Sequence, residues 1–126
     1  MRIFLAVVLL LSPVCLAHAE LPSASALAVN QALSSGRPTV IDLGARTCVP
    51  CKKMAPILES LSSEYRGKAG VLFIDVHEDQ DAAKRFRVQM IPTQIFFNVK
   101  GKEVSRHMGF MDKEALLKEL KAAGLK

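Results

Sequence analysis

Four short apolar runs, rich in β-branched and aromatic residues, alternate with segments whose apolar residues recur at helical spacing. The runs predict strands at 39–43, 71–76, 95–99 and 103–107. Helices are predicted at 23–35, 48–65 and 79–86, followed by a last helix capped by Asp112. Strands that alternate with helices require crossovers and parallel pairing, and a final hairpin adds antiparallel strands. The pattern therefore predicts an α/β fold with a central mixed four-stranded sheet flanked by helices.

The first nineteen residues have the features of a secretory signal peptide. Arg2 supplies a positive charge, residues 3–11 are uninterrupted apolar residues, and Ala17 and Ala19 occupy the −3 and −1 positions of a cleavage site. The apolar run is shorter than the roughly 20 residues of a membrane span. We predict export to the periplasm with cleavage after Ala19, leaving residues 20–126 as one domain. The alternative is an uncleaved N-terminal membrane anchor.

Charge and composition favour an ordinary packed domain. Seventeen lysines and arginines against twelve acids give a net charge of +5, too mild and too dispersed to indicate a nucleic-acid partner. Half of the residues are hydrophobic, as expected for a globular core. Three cysteines are too few to staple a small domain, so the fold must rest on its core. We also predict a monomer. The cysteines then need a chemical explanation.

The segment Cys48-Val49-Pro50-Cys51 lies where a predicted strand ends and a helix begins. At a helix N-terminus, unpaired backbone N–H groups and the helix dipole stabilise a thiolate on Cys48, and the thiolate is the nucleophile. Cys51, one turn later, is placed to attack a mixed disulfide and release the partner. The spacing therefore indicates thiol–disulfide exchange, which needs no dissociable cofactor.

Three other roles for the pair are less well supported. A structural disulfide across so short a loop constrains the unfolded chain little. Zinc would need two more ligands, and His77 and His107 have no common finger spacing. Haem attachment requires a histidine directly after the second cysteine, where this chain has Lys52. We therefore expect no metal and no cofactor, and we interpret both histidines as ordinary surface or strand-end residues.

Several segments together resemble the landmarks of the thioredoxin superfamily, in their expected order. These segments are Val40-Ile41-Asp42, Cys48-Val49-Pro50-Cys51-Lys52, Val71 to Asp75, Met90-Ile91-Pro92-Thr93 and Gly109. The resemblance covers roughly residues 38–120 and extends to exported thioredoxin-like domains, including the catalytic C-terminal domain of the membrane disulfide reductase of the periplasm. It implies the thioredoxin fold and a thiol–disulfide oxidoreductase of the protein-disulfide reductase type.

The resemblance implies specific catalytic roles. Cys48 matches the attacking cysteine and Cys51 the resolving one, so that the reaction leaves a Cys48–Cys51 disulfide. Asp42 matches a buried acid that exchanges a proton with the resolving thiol, and its place in an apolar strand predicts a raised pKa. Val71 stands at the position of a lysine that often partners this acid. Arg46 is a further candidate to stabilise the thiolate by charge.

The resemblance also implies a substrate-binding surface formed by Ile91, Pro92 and Gly109. Pro92 matches a cis-proline that faces the dithiol and leaves neighbouring backbone free to pair with an extended substrate. Gly109 matches a glycine that allows close approach of the substrate. Four methionines are predicted either to line a hydrophobic groove beside the dithiol or to pack in the core: Met54, Met90, Met108 and Met111.

The implied partners are protein disulfides or dithiols. An exported compartment is oxidising, so a reductase there needs an electron donor, which we expect to be a membrane dithiol transporter. Cytochrome c maturation and disulfide repair are typical outlets for such a protein. Two alternatives remain open: a dithiol oxidase that introduces disulfides, and a non-catalytic module that binds peptides on the Pro92 face.

Overall fold

The structure is a computed structural model that describes residues 20–126, so the predicted signal peptide lies outside the described residues. The elements are α1 (Ala26–Leu33), β1 (Thr39–Gly44), α2 (Val49–Glu64), β2 (Gly70–Asp75), α3 (Gln80–Arg85), β3 (Thr93–Phe97), β4 (Glu103–Met108) and α4 (Lys113–Ala122). This is the predicted order of helices and strands. Within residues 20–126, no helix is long and apolar enough to cross a membrane.

The four strands form one mixed sheet in the order β2-β1-β3-β4. Strands β1 and β2 are parallel, whereas β3 is antiparallel to both β1 and β4. The crossover through α2 produces the parallel pair, and the tight turn between β3 and β4 produces the antiparallel edge. The predicted mixed four-stranded sheet flanked by helices is therefore confirmed.

Strand β1 lies near the middle of the sheet and is buried along its whole length. Its side chains alternate between two hydrophobic clusters because successive residues of a strand point to opposite faces. One cluster includes Val40, Met54, Leu58, Phe96, Leu116 and Leu120, on the side of α2 and α4. The other includes Val29, Ile41, Leu43, Ile74 and Ile95, on the side of α1 and α3. The sheet is thus the middle of three layers.

Several element boundaries differ from the prediction by one to three residues, and two of these differences have identifiable reasons. Helix α1 begins at Ala26 rather than at residue 23, because Ser25 caps it and Ser23 forms a parallel bridge to Phe73. Strand β3 ends at Phe97 rather than at residue 99. The Asn98 side chain accepts hydrogen bonds from two backbone N–H groups of the following turn and so starts that turn early.

Candidate active site

Cys48 and Cys51 form a disulfide at the N-terminus of α2, with their Cα atoms 5.1 Å apart. Cys48 is the N-cap residue, and its Sγ accepts a hydrogen bond from the Cys51 N–H at 3.4 Å. Cys48 is half-buried, whereas Cys51 is only 4% exposed. One sulfur is therefore accessible to a partner protein, and the other is covered by the fold.

The local sequence explains why the cysteines occupy these positions. Pro50 lies in the first turn of α2, where its missing N–H leaves no intrahelical bond unmade. Cys51 packs against Gly44 at the end of β1. A Cβ atom added to Gly44 would lie 3.1 Å from the Cys51 Sγ, tighter than an ordinary van der Waals contact. Gly44 therefore allows the resolving sulfur to approach the strand closely.

Asp42 lies on the same face of β1 as Gly44, two residues earlier, and is completely buried. Its Oδ1 accepts a hydrogen bond from Gln94 Nε2 at 2.9 Å. Its Oδ2 is buried and has no hydrogen-bond partner among residues 20–126. Burial raises the pKa of Asp42 to about 6, although the Gln94 hydrogen bond opposes part of that rise. The predicted direction of the shift is confirmed, and the group can exchange a proton near neutral pH.

Strand register determines which residues of β2 surround Asp42. Val71 pairs with Val40, and the residue directly opposite Asp42 on β2 is Phe73. An aromatic side chain cannot donate the charge-assisted hydrogen bond that a lysine supplies. The polar neighbour of Asp42 is instead Gln94, which lies opposite it on β3. Sequence analysis overlooked Gln94, although a glutamine inside the apolar run of β3 is a recognisable signal.

His107 is the next-to-last residue of β4 and is half-buried, as expected for a strand-end residue. Its Nδ1 is 3.0 Å from Gln94 Oε1, a contact that sequence analysis did not predict. His77 is exposed just after β2. Residues 20–126 contain no group of three or more side chains arranged to hold a metal ion.

Pro92 and Gly109 lie together at the end of the sheet from which β1 leads into the dithiol. The Ile91–Pro92 peptide bond is cis, as predicted. The Gly109 N–H donates to the Pro92 carbonyl at 2.7 Å, and Gly109 has φ +100°, a conformation that favours glycine. Thr93 pairs with Leu43 of β1, which fixes the Pro92 loop beside the strand that carries Asp42.

The four methionines divide between the core and the surface. Met54 and Met111 are buried in the core. Met90 and Met108, which flank the Pro92–Gly109 contact in sequence, are 48% and 54% exposed. Two more large apolar side chains are exposed near these residues in sequence or beside the dithiol. They are Val49, between the cysteines, and Phe110, directly after Gly109.

The Arg46 guanidinium has partners other than the cysteines. Its guanidinium forms an ion pair with Glu20 at 2.9 Å and lies 4.9 Å above the Phe73 ring. Its backbone N–H donates to Asp75, which also accepts from two N–H groups of the turn after β2. Burial acts to raise the pKa of Asp75, but these backbone hydrogen bonds outweigh it and the pKa is lowered. Asp75, which sequence analysis did not assign, thus anchors the loop before Cys48.

Comparison with known proteins agrees with this geometry. The family model described as thioredoxin matches residues 23–122. Thioredoxin of Staphylococcus aureus (strain Mu50) is 42% identical over 81 residues, which cover 64% of this chain and 77% of that protein. The bifunctional thioredoxin reductase/thioredoxin of Mycobacterium leprae is 42% identical over 88 residues, covering 70% of this chain. The chain spans about a fifth of that longer relative, 19% of its length.

Solved structures give the same result for the fold. A mutant thioredoxin from Halobacterium salinarum NRC-1 has a TM-score of 0.72 and 27% identity, covering 82% of this chain and 88% of the other. Chloroplastic thioredoxin z has a TM-score of 0.70 and 24% identity, covering 83% of this chain and 95% of the other. The second likeness concerns the fold alone.

A paired dithiol at the start of a helix, with one sulfur accessible, is the centre of a thiol–disulfide oxidoreductase built on the thioredoxin fold. The family model matches residues 23–122, and the bacterial relatives are 42% identical, so the family can be stated as well as the class. This chain belongs to the thioredoxin family, whose members act on protein disulfides.

Proposed function

We propose that this protein is an exported reductase of protein disulfides that receives its electrons from a membrane dithiol donor. The main support is the asymmetry of the cysteine pair, in which Cys48 is accessible and Cys51 is covered beside the strand that carries Asp42. This arrangement suits a two-step reaction, in which one sulfur meets the substrate and the other acts only after the first bond has formed.

The first step is attack by the Cys48 thiolate on a sulfur of the partner's disulfide. A bond forms between Cys48 and that sulfur, and the partner's other sulfur leaves as a thiolate. The Cys51 thiolate then attacks Cys48 Sγ, the mixed disulfide breaks, and the partner's second sulfur leaves. The partner gains two electrons, and the protein retains the Cys48–Cys51 disulfide. The donor returns two electrons by the same exchange in reverse.

Asp42 supplies the proton step. Before the second attack, the Cys51 thiol must lose its proton, because the thiolate is the nucleophile. The Asp42 carboxylate lies on the strand face against which Cys51 packs, and its free Oδ2 can accept that proton. A pKa of about 6 lets the carboxyl group both accept and return a proton at the pH of the compartment.

Substrate binding falls to the surface around Pro92. Pro92 has no N–H to donate within the sheet. The backbone of the preceding Ile91 is therefore free to pair with an extended segment of the partner. Gly109 adds no side chain that would hold the partner away. The exposed Met90 and Met108 supply adaptable apolar contacts, which suits a protein with more than one substrate.

Export is supported by the signal-peptide pattern and by the contacts of Glu20, the first residue after the predicted cleavage site. Glu20 forms the ion pair with Arg46, and the Leu21 carbonyl accepts a second hydrogen bond from the same guanidinium. Cleavage after Ala19 leaves both contacts intact. We further propose that the protein acts as a monomer, with cytochrome c maturation or disulfide repair as its outlet.

One experiment on host cells tests both export and reducing function. Cells are fractionated, acidified, treated with a thiol-alkylating reagent, and the protein is analysed by mass spectrometry. We expect a periplasmic chain of 126 − 19 = 107 residues that begins at Glu20, with Cys48 and Cys51 both alkylated because a donor keeps them reduced.

The other outcomes separate the alternatives. A chain that retains its first nineteen residues in the membrane fraction would identify an N-terminal anchor. A periplasmic chain with both cysteines protected as a disulfide at steady state would contradict reduction and favour a dithiol oxidase.

A further inference from the structure

Three side chains form a continuous polar row across the sheet beneath α2 and α4. Asp42 of β1 lies directly opposite Gln94 of β3, and Gln94 lies directly opposite His107 of β4. Opposed residues of antiparallel strands point to the same face and are in contact distance. Gln94 Nε2 donates to Asp42 Oδ1 at 2.9 Å, and Gln94 Oε1 is 3.0 Å from His107 Nδ1.

The order of donors and acceptors along the row follows from the chemistry of its ends. An ionised Asp42 only accepts hydrogen bonds, so the NH₂ group of Gln94 must face it. The carbonyl oxygen of Gln94 then faces His107, and Nδ1 of the imidazole must carry the hydrogen in that contact. A hydrogen on Nδ1 of His107 therefore fixes the orientation of the amide that binds Asp42.

The row leaves one oxygen of Asp42 for another purpose. Oδ1 is bonded to Gln94, while Oδ2 is buried without a partner among residues 20–126. An unsatisfied buried oxygen costs free energy and is uncommon in folded proteins. Gly44, on the same strand face, contacts the Cys51 sulfur, so the free oxygen belongs to the strand surface on which the resolving cysteine rests.

We propose that Gln94 and His107 are positioning residues that hold the Asp42 carboxylate by Oδ1 and keep Oδ2 available for proton exchange with Cys51. This inference rests on the proton-transfer role proposed above for Asp42. The row takes the place of the lysine that the family often has at the position of Val71, and the residue opposite Asp42 on β2 is the apolar Phe73.

The following charged groups on the elements around the row bind other residues or face solvent. On β2, Asp75 binds backbone N–H groups. On α4, Glu119 accepts from Ser105, and Lys113 pairs with Glu64 of α2. On β4, Glu103 pairs with Arg106. On α2, Lys52 and Lys53 are exposed to solvent. Among residues 20–126, the side chain that is hydrogen-bonded to Asp42 is thus Gln94. His107 of β4 influences Asp42 through its contact with Gln94.

The test compares variants by titration of the Asp42 carboxyl carbon, followed by NMR in the oxidised protein, and by the pH profile of disulfide exchange. In Gln94→Leu, loss of the hydrogen bond to the charged form is expected to move the Asp42 midpoint upward by about one pH unit. His107→Ala should move it in the same direction. His107→Asn should restore it, because the asparagine NH₂ group can donate from nearly the same place as Nδ1.

Ser105→Ala is the matched control, since Ser105 lies two residues from His107 on the same face of β4 and bonds to Glu119 instead. It should leave the Asp42 midpoint unchanged. An unchanged midpoint in both Gln94→Leu and His107→Ala would overturn the inference, as would failure of His107→Asn to restore it. The role of Asp42 itself is tested separately by Asp42→Asn. If that variant loses exchange activity while the row variants titrate normally, the proposed function survives and the inference fails.

Discussion

Replacing Cys48 with serine is expected to lower the rate of protein-disulfide reduction on the order of a thousandfold or more. The serine hydroxyl is a far weaker nucleophile toward sulfur than a thiolate, and Cys48 carries the accessible sulfur of the pair. The measurement is the reduction of insulin disulfides with a chemical dithiol as the electron source. Persistent turnover by Cys48→Ser would contradict the assignment of Cys48 as the attacking residue.

The companion variant Cys51→Ser separates attack from resolution. With Cys48 intact and no resolving thiol, the protein should form a mixed disulfide with its substrate and release it slowly. Mass spectrometry should then find the substrate attached to Cys48. A non-catalytic module that binds peptides on the Pro92 face predicts something different, because both variants would bind peptide as the wild type does and neither would form a covalent adduct.

Asp42→Asn is expected to stabilise the oxidised protein above neutral pH. Burial raises the pKa of Asp42 from 3.8 to about 6, so between those values the folded protein retains a proton that the unfolded chain has released. The free energy of unfolding of the wild type therefore falls as the pH rises through this window and stays lower above it, by about 3 kcal/mol in full. Asparagine has nearly the same shape and no such loss.

The measurement is urea unfolding of both oxidised proteins at about pH 4 and pH 8. The stability of Asp42→Asn relative to wild type should increase by about 2–3 kcal/mol between the two conditions. Any cost of the asparagine NH₂ group is the same at both pH values, and the titration of Asp75 occurs in both proteins, so neither affects the comparison. If the free energies of unfolding of the two proteins changed equally with pH, the buried charge of Asp42 would not destabilise the folded protein, which would contradict the prediction.

Much of the fold was predictable because its signals are local. Apolar runs of β-branched residues specify the strands, and the recurrence of Met54, Leu58 and Leu61 at helical spacing specifies α2. The dithiol was predictable for a related reason. Thiol exchange needs both cysteines within one helical turn, so the chemistry is visible in the spacing of Cys48 and Cys51 alone.

The environment of Asp42 was less predictable because it depends on strand register. Periodicity indicates that a strand exists but not which residue of the next strand lies opposite, so the pairing of Asp42 with Phe73 was not predicted. Gln94 and His107 are 13 residues apart in sequence and meet Asp42 only through two antiparallel registers. The pairing of Glu20 with Arg46 likewise requires the folded chain.

The central claim, that Cys48 and Cys51 form a reducing dithiol, is tested most directly by the equilibrium redox potential of the purified protein. The protein is equilibrated with glutathione or dithiothreitol buffers, its free thiols are alkylated, and they are counted by mass spectrometry. The account predicts a potential near that of thioredoxin, about −270 mV. A potential near about −120 mV, typical of strong oxidants, would contradict it and reverse the proposed direction of electron flow.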